Sequence, residues 1–409
     1  MSSTQNNPDA SVQLGQWLTE QGLAGVAQTE LLEGYCVQLC DLGIPLMRFH
    51  VAQSLNHPNY NGSGYSWVRD GTALQENYEH TDAPPDQWLQ SPLYSLMHSG
   101  GGELRERMID SNEPSHFPIL NDLHQSGATD YFAAGVAFDI GCEQLTQLNA
   151  PATNGVLVSW TSDSPNGFDD AHLDLLRQTL PNLGLALKAH GNRQMAQDLL
   201  GVYLGRDAGR RVLSGEIRRG SLQEIDAVIW NFDLQGFTSL AERISGPDMI
   251  SLLNDYLAVA VDVIQDGGGN ILKFMGDGLL AIFDVGEIDE DTRAALASIE
   301  VLEQRMAEKN AERAAAGLPV TDFTLALHAG EILYGNIGGE SRLDFTVIGP
   351  VVNQTARISG MHRGLEQRII LSEEVYRAAQ PTDYNLISLG RYMLRGVAEP
   401  KELYTFRSV

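Results

Sequence analysis

Cysteine is nearly absent from this chain of 409 residues, which holds only Cys36, Cys40 and Cys142. So sparse and odd a set excludes a disulfide framework and fits a reducing compartment. Cys36 and Cys40 have the spacing of one helix face. No His or Cys cluster completes a metal site around them, so they read as buried thiols. Basic residues are scarce as well: 27 Lys plus Arg stand against 53 Asp plus Glu, a formal net charge of −26. That balance argues against a nucleic-acid or anionic-membrane surface, but it leaves room for a single nucleotide, whose phosphates need only a local pocket. No apolar run approaches the roughly 20 residues that span a bilayer. The opening MSSTQNNPDAS lacks the basic and apolar regions of a signal peptide. The expected location is the cytoplasm.

What is present suffices for more than one core. With 43% hydrophobic and 20% charged residues the chain reads as globular, and its length favours two or three domains. Residues 1–12 read as a disordered tail. The pattern is helical from Leu14 to Leu42, and strand-like runs follow at PLMRFHVAQSL, GYSWVRDG, DYFAAGVAFDI and NGVLVSWTSD. The long polar section between the second and third runs carries no clear assignment. Leu173, Leu176, Leu180, Leu183 and Leu187 alternate three- and four-residue steps, which predicts an amphipathic helix from Asp169, kinked at Pro181. The six histidines from His50 to His124 read as structural or surface residues. A locally basic connector, 191–225, carries Arg206, Arg210, Arg211, Arg218 and Arg219. It reads either as a solvated helix or as a paired helix relaying a change between domains.

The second half turns on Val228–Phe283. VIWNFDLQGFTSLAE and NILKFMGDGLLAIF are short apolar runs, each reaching an aspartate, Asp233 or Asp277. The residues after Asp233 predict a strand turning sharply into a helix, where the backbone N–H groups of Gly236, Phe237 and Thr238 can face phosphate oxygens. Gly276 and Gly278 around Asp277 predict a hairpin tip. Two hard carboxylates beside an anion-friendly turn suggest two divalent cations on a nucleoside triphosphate. A helix with Ile250, Leu253, Leu257, Val261 and Ile264 on one face should follow. A second should carry Ala295, Ile299, Leu302 and Met306, and then strands at DFTLALHAG, EILYGNI and LDFTVIG. Interleaved helices and hairpins make this an α+β fold with a mixed sheet.

Two resemblances organise these readings. NGVLVSWTSDSPNGFDDAHLDLLRQTLPNLGLALKA, with the helix and strands before it, resembles a GAF-type sensory domain over 13–190. The signature of cyclic-nucleotide-binding members is not evident, so any small-molecule ligand stays unread. Residues 226–409 resemble a class III nucleotidyl cyclase catalytic domain of ferredoxin-like fold. The segments that carry this are FDLQGFTSLAE, ILKFMGDGLLAIF, LHAGEILYGNIGG, FTVIGPVVNQTARI and RGVAEPKELYTF, five in order. The implied reaction is attack of a ribose 3′-hydroxyl on the α-phosphorus, with pyrophosphate leaving.

By that resemblance Asp233 and Asp277 are ligands of two Mg²⁺ or Mn²⁺ ions, and Asn353 and Arg357 are the transition-state donors. Lys273 and Thr346 select the base. A lysine can donate to adenine N1 and a threonine hydroxyl can accept from its N6 amino group, whereas guanine presents the opposite pattern. Arg395 is placed on the triphosphate. Thr346 also fits a subgroup often associated with bicarbonate. Pro350 departs from the family's usual Asp and puts local loop geometry in question. His328 reads as structural. Because the family builds its site from two catalytic domains, the resemblance implies a homodimer. The leading reading is an adenylate cyclase regulated through its first domain. A non-catalytic signalling module, or a cyclase for GTP or a pyrimidine nucleotide, are the alternatives. A diguanylate cyclase would need a signature that is missing.

Overall fold

A computed structural model of the chain describes residues 8–54, 60–81, 83–99, 102–109, 113–138, 155–284 and 286–407. Cys142, His57 and residues 1–7 lie outside them. The chain divides into two compact units, Met1–Leu199 and Leu200–Val409.

The first unit opens with α1 (Pro8–Ala24) and α2 (Gln28–Asp41), so residues 8–12 are helical rather than part of a tail. The helical pattern expected over 14–42 is met by these two helices. Gly25 takes φ of +69°, a left-handed value that ends a helix cheaply only at glycine. β1 (Leu46–Ser54) and β2 (Tyr60–Val68) follow. The unassigned polar section then supplies β3 (Leu74–Glu79), α3 (Asp86–Leu89), α4 (Pro92–Ser99), β4 (Glu103–Arg107) and α5 (Pro118–Gln125). β5 (Asp130–Ala137), β6 (Gly155–Ser162) and α6 (Asp170–Leu204) complete the unit. The sheet is antiparallel, in the order β3-β2-β1-β6-β5-β4. One face packs Phe49, Val51, Phe132, Val158 and Trp160 beneath α1, α2 and α6. The opposite face carries Tyr131 and Ala133 against Leu93 and Leu96 of α4 and Leu120 of α5. α6 buries the five predicted leucines. It runs unbroken through Pro181, which forfeits one backbone donor without ending the helix.

The second unit begins with α7 (Arg206–Leu213) and β7 (Leu222–Leu234), a strand that starts four residues ahead of the expected Asp226. α8 (Phe237–Ala241), α9 (Gly246–Asp266), β8 (Asn270–Met275), β9 (Gly278–Phe283) and α10 (Ile288–Ala315) come next. Two of the expected strands are one, β10 (Phe323–Gly338). β11 (Leu343–Ile348), α11 (Pro350–Ser359), α12 (His362–Leu365), β12 (Ile369–Ser372), α13 (Glu373–Ala378), β13 (Asn385–Tyr392) and β14 (Lys401–Arg407) finish the chain. The strand order is β13-β14-β12-β10-β7-β9-β8, with β11 on the other end of β10. β10 and β12 are parallel and the other pairs antiparallel, so the sheet is mixed, as expected.

Val228, Trp230 and Phe232 face a core built with α9 and α10. The alternate residues Ala227 and Ile229 face a second core with Ala208 of α7 and Phe345 and Val347 of β11. α10 buries Ala295, Ile299, Leu302 and Met306 as predicted. In α9 the buried stripe is instead Leu252, Tyr256, Ala260, Val263 and Ile264, while Ile250 is 57% exposed. Tyr256 and Ala260 supply that stripe because Tyr256 packs its ring inward and hydrogen-bonds Asn310.

Candidate active site

Asp233 stands near the end of β7, directly opposite Gly278 at the start of β9. Asp277 occupies the predicted two-residue tip between β8 and β9, where Met275 pairs with Gly278 and Gly276 takes φ of +70°. The two ends are stitched together by Leu234, whose N–H donates to the Asp277 carbonyl at 3.2 Å. Partial burial, and then the negative charge of Asp277, push the Asp233 carboxyl up from 3.8 to about 6. Only glycine fits at 278: a Cβ there would sit 2.8 Å from Asp233 Oδ1 and collide with the Phe232 carbonyl. Sequence reasoning gave Gly278 no role beyond the turn; its structural signal is this close approach.

The carboxylates form a hard-oxygen pair whose mutual repulsion a cation would relieve, so these residues fit divalent metal. Among the described residues no group of three or more His, Cys, Asp or Glu side chains surrounds such a position.

Beyond Asp233 the chain turns through Gly236, in the left-handed region at φ 70° and ψ 16°, into the short α8. Gly236 and Thr238 are exposed. The Phe237 side chain packs against the main core, leaving its backbone for the site.

Lys273 is exposed on β8, opposite Leu280 and on the same hairpin as Asp277. Thr346 lies on β11 opposite Gly335, between Phe345 and Val347, which pack in one cluster with Leu272 and Leu280. Thr346 Oγ1 is buried and has no hydrogen-bond partner. Asn353 and Arg357 are both exposed on α11, one turn apart, while Thr355 and Ile358 are buried behind them. Pro350 takes the first turn of α11 after Gly349, where its missing N–H costs nothing, so the departure from Asp leaves the helix intact. Arg395 is exposed in the turn between β13 and β14. The preceding Leu394 shares a cluster with Ile358, which ties that turn to α11.

The candidate residues thus fall into two groups: Asp233 with Asp277, and Thr346, Asn353, Arg357 and Arg395 around β11 and α11. Lys273 lies between them, on the hairpin of Asp277 and next to Leu272, which packs with Phe345 and Val347 of β11. Among the described residues, no hydrogen bond or ion pair joins the carboxylates to Asn353, Arg357 or Arg395 within one chain. His328 is buried with Nδ1 2.9 Å from Ser372 Oγ, a structural position. A cavity of about 310 Å³ lined by Glu303, Gln367, Arg368, Thr405 and Arg407 includes none of the candidates.

Residues 221–408 match the family described as "Adenylate and Guanylate cyclase catalytic domain". This part of the chain is a class III cyclase catalytic domain. The family generally uses two divalent metal ions, and dimerisation is typical of it. Among curated relatives, the chain is similar to an adenylate cyclase of Anabaena cylindrica, 34% identical over 145 residues, which are 36% of this chain and 29% of the relative. An uncharacterized protein of Mycobacterium tuberculosis is 32% identical over 219 residues, 52% of this chain and 38% of that one. The chain spans about a third of the length of these relatives. Among solved structures, the adenylyl cyclase CyaB from P. aeruginosa is 23% identical, covering 46% of this chain and 97% of its own, with a TM-score of 0.43. The guanylyl cyclase Cya2 is 28% identical, covering 46% and 94%, with a TM-score of 0.41. The unit ahead of the cyclase domain is an α/β domain of unassigned family. Among the described residues no helix is long and apolar enough to cross a membrane.

Proposed function

We propose that the protein is an adenylate cyclase, converting ATP to 3′,5′-cyclic AMP and pyrophosphate. The observation that carries the choice of base is Thr346: its buried Oγ1 is an acceptor without a donor, and the adenine N6 amino group would supply one. Lys273, exposed and without an ion pair among the described residues, would donate to N1. Guanine would set its O6 carbonyl against Thr346 and its N1–H against Lys273.

Asp233 and Asp277 would hold two Mg²⁺ or Mn²⁺ ions, the remaining oxygens coming from the triphosphate and water. When bound, the ions supply a lowered 3′-hydroxyl pKa and charge neutralisation at the phosphates. Backbone N–H groups at Gly236, Phe237 and Thr238 would orient the phosphates. Asn353 and Arg357 would donate to the charge growing on the α-phosphoryl oxygens, and Arg395 would bind the triphosphate. The separation of the carboxylates from Asn353 and Arg357 within one chain supports a homodimer with two composite sites. The pairing of an N-terminal helix, an antiparallel sheet and a closing helix supports the GAF-like reading of 13–190 as a regulatory input, with 191–225 as transducer and 226–409 as the catalytic part. Bicarbonate stimulation would follow from Thr346.

Turnover of ATP, GTP, CTP and UTP, each with Mn²⁺ and each with Mg²⁺, tests the reading. Cyclic AMP should dominate, and Lys273→Glu should lower the ATP to GTP preference. Absence of any cyclic product from wild-type protein would sink the assignment.

A further inference from the structure

One face of the N-terminal sheet carries a half-buried positive charge, Arg48, that has no ion-pair partner among the described residues. The pairing register sets Ser66 of β2, His50 of β1, Ser159 of β6 and Ala133 of β5 side by side. The neighbouring row is Val68, Arg48, Thr161 and Tyr131. These residues alternate with Phe49, Val51, Val158 and Trp160, so they share the face on which α4 and α5 pack.

Arg48 Nη2 donates to Ser66 Oγ at 3.2 Å, and His50 Nδ1 lies 2.8 Å from the same oxygen. Ser66 therefore accepts from Arg48, and the tautomer of His50 sets which atom donates in the second contact. No other hydrogen bond leaves the guanidinium, and among the described residues no carboxylate pairs with it. The other nearby groups are tyrosines. Tyr131, whose hydroxyl is hydrogen-bonded to Ser159, is pushed up to about 12 by burial, and burial also raises Tyr78, so both are neutral. Burial together with Arg48 drives His50 down to about 3, which keeps it from adding a second charge. Thr161, in register with Arg48, is 0% exposed and its Oγ1 has no partner. Tyr78 reaches in from β3 across Gly64, where a Cβ would strike its hydroxyl. A guanidinium withdrawn from water without an anion is costly, and it cannot shed its proton to escape that cost.

We propose that this patch binds a small carboxylate monoanion, with Arg48 as its counter-charge and Thr161 as a second donor. One fixed positive charge matches one negative charge, which favours a monoanion over a phosphate or sulfate dianion. The parallel N–H groups of a guanidinium match the two oxygens of a planar carboxylate. The site stands apart from the cyclase reading, because its readout is unfolding rather than turnover.

The test is thermal unfolding of the full chain at constant ionic strength, with acetate, propionate, benzoate or bicarbonate added, and chloride and sulfate as controls. Wild-type protein should show a saturable rise in Tm with at least one of the four. A rise with bicarbonate alone that Arg48→Gln abolishes makes it the ligand of this patch, whereas such a rise with the organic acids makes the site one for organic carboxylates. Arg48→Gln should lower the apparent affinity at least about tenfold, and Thr161→Val should lower it less. In carboxylate-free buffer Arg48→Gln should be as stable as wild type or more so. The proposal falls if none of the four raises Tm, if Arg48→Gln responds as wild type does, or if that variant is less stable without carboxylate.

Discussion

In the C-terminal unit Asp233 and Asp277 meet at the ends of neighbouring strands, while in the N-terminal unit Arg48 lies beside Ser66 and Thr161 with no carboxylate paired to it among the described residues. Both places hold charge of one sign without its complement, yet they answer it differently. Burial and Asp277 raise the Asp233 carboxyl to about 6, so a proton can discharge it when no cation is present. A guanidinium has no such release. The carboxylate pair is therefore open to water and to a proton or metal, whereas the arginine must be answered by an anion. The sign of the missing charge names the class of ligand in each case.

The largest effect available is loss of the composite site. Asp277→Ala and Arg357→Ala should each reduce metal-dependent turnover to background, one by removing a proposed metal ligand and the other a proposed transition-state donor. Arg357 is exposed on α11, so its variant should unfold at the wild-type temperature. If the site spans two protomers, mixing the two inactive variants creates dimers with one intact site. Subunits exchanged at equal amounts should then recover about a quarter of wild-type activity. Recovery of nothing, with dimers formed, would place all residues of each site in one chain and undo the contrast drawn here for the carboxylate end.

A smaller effect tests how tightly that end is built. Gly278→Ala sets a methyl group against the Phe232 carbonyl and Asp233 Oδ1. The backbone of two core strands must yield, at a cost of about 1–3 kcal/mol. The urea midpoint should fall accordingly, and metal-dependent activity should fall with it because Asp233 is displaced. A variant as stable and active as wild type would mean that the strand ends are looser than their pairing implies.

The cyclase half was the more legible of the two, for physical reasons. Its strands end at aspartates, its turns need glycines at 236, 276 and 278, and α11 repeats at helical spacing, so order and position both carry meaning in the sequence. What could not be read there was long-range. β10 is one strand because it pairs with β7 along its whole length. Tyr256 lies inward because Asn310 receives its hydroxyl. In the first half the section from 72 to 129 escaped assignment because β3 is wholly exposed and α3 to α5 are short, so neither periodicity had room to develop. Arg48 and His50 read as ordinary strand residues. Only the register, which sets them beside Thr161 and Ser66, makes them a cluster.

The finest test of the positive site uses pH. His50 is held at about 3 in the folded chain, below its ordinary 6.5, by burial and by Arg48. Between those values the unfolded chain takes up a proton that the folded chain refuses. Stability from this group is therefore complete above about 6.5 and is lost as pH falls toward 3. Asp233 and Asp284, each raised to about 6 by burial and by neighbouring aspartates, contribute with the opposite sign, gaining stability as pH falls below 6. Wild-type unfolding alone would mix these contributions, so the comparison must be with His50→Gln, which keeps both aspartates and removes only the imidazole. In carboxylate-free buffer, wild type should lose about 1–2 kcal/mol more than His50→Gln between pH 7 and pH 5, read from urea midpoints. Equal losses would mean that His50 accepts its proton in the folded state beside Arg48. The patch would then hold two positive charges at acid pH, and a dianion would fit it better than a carboxylate.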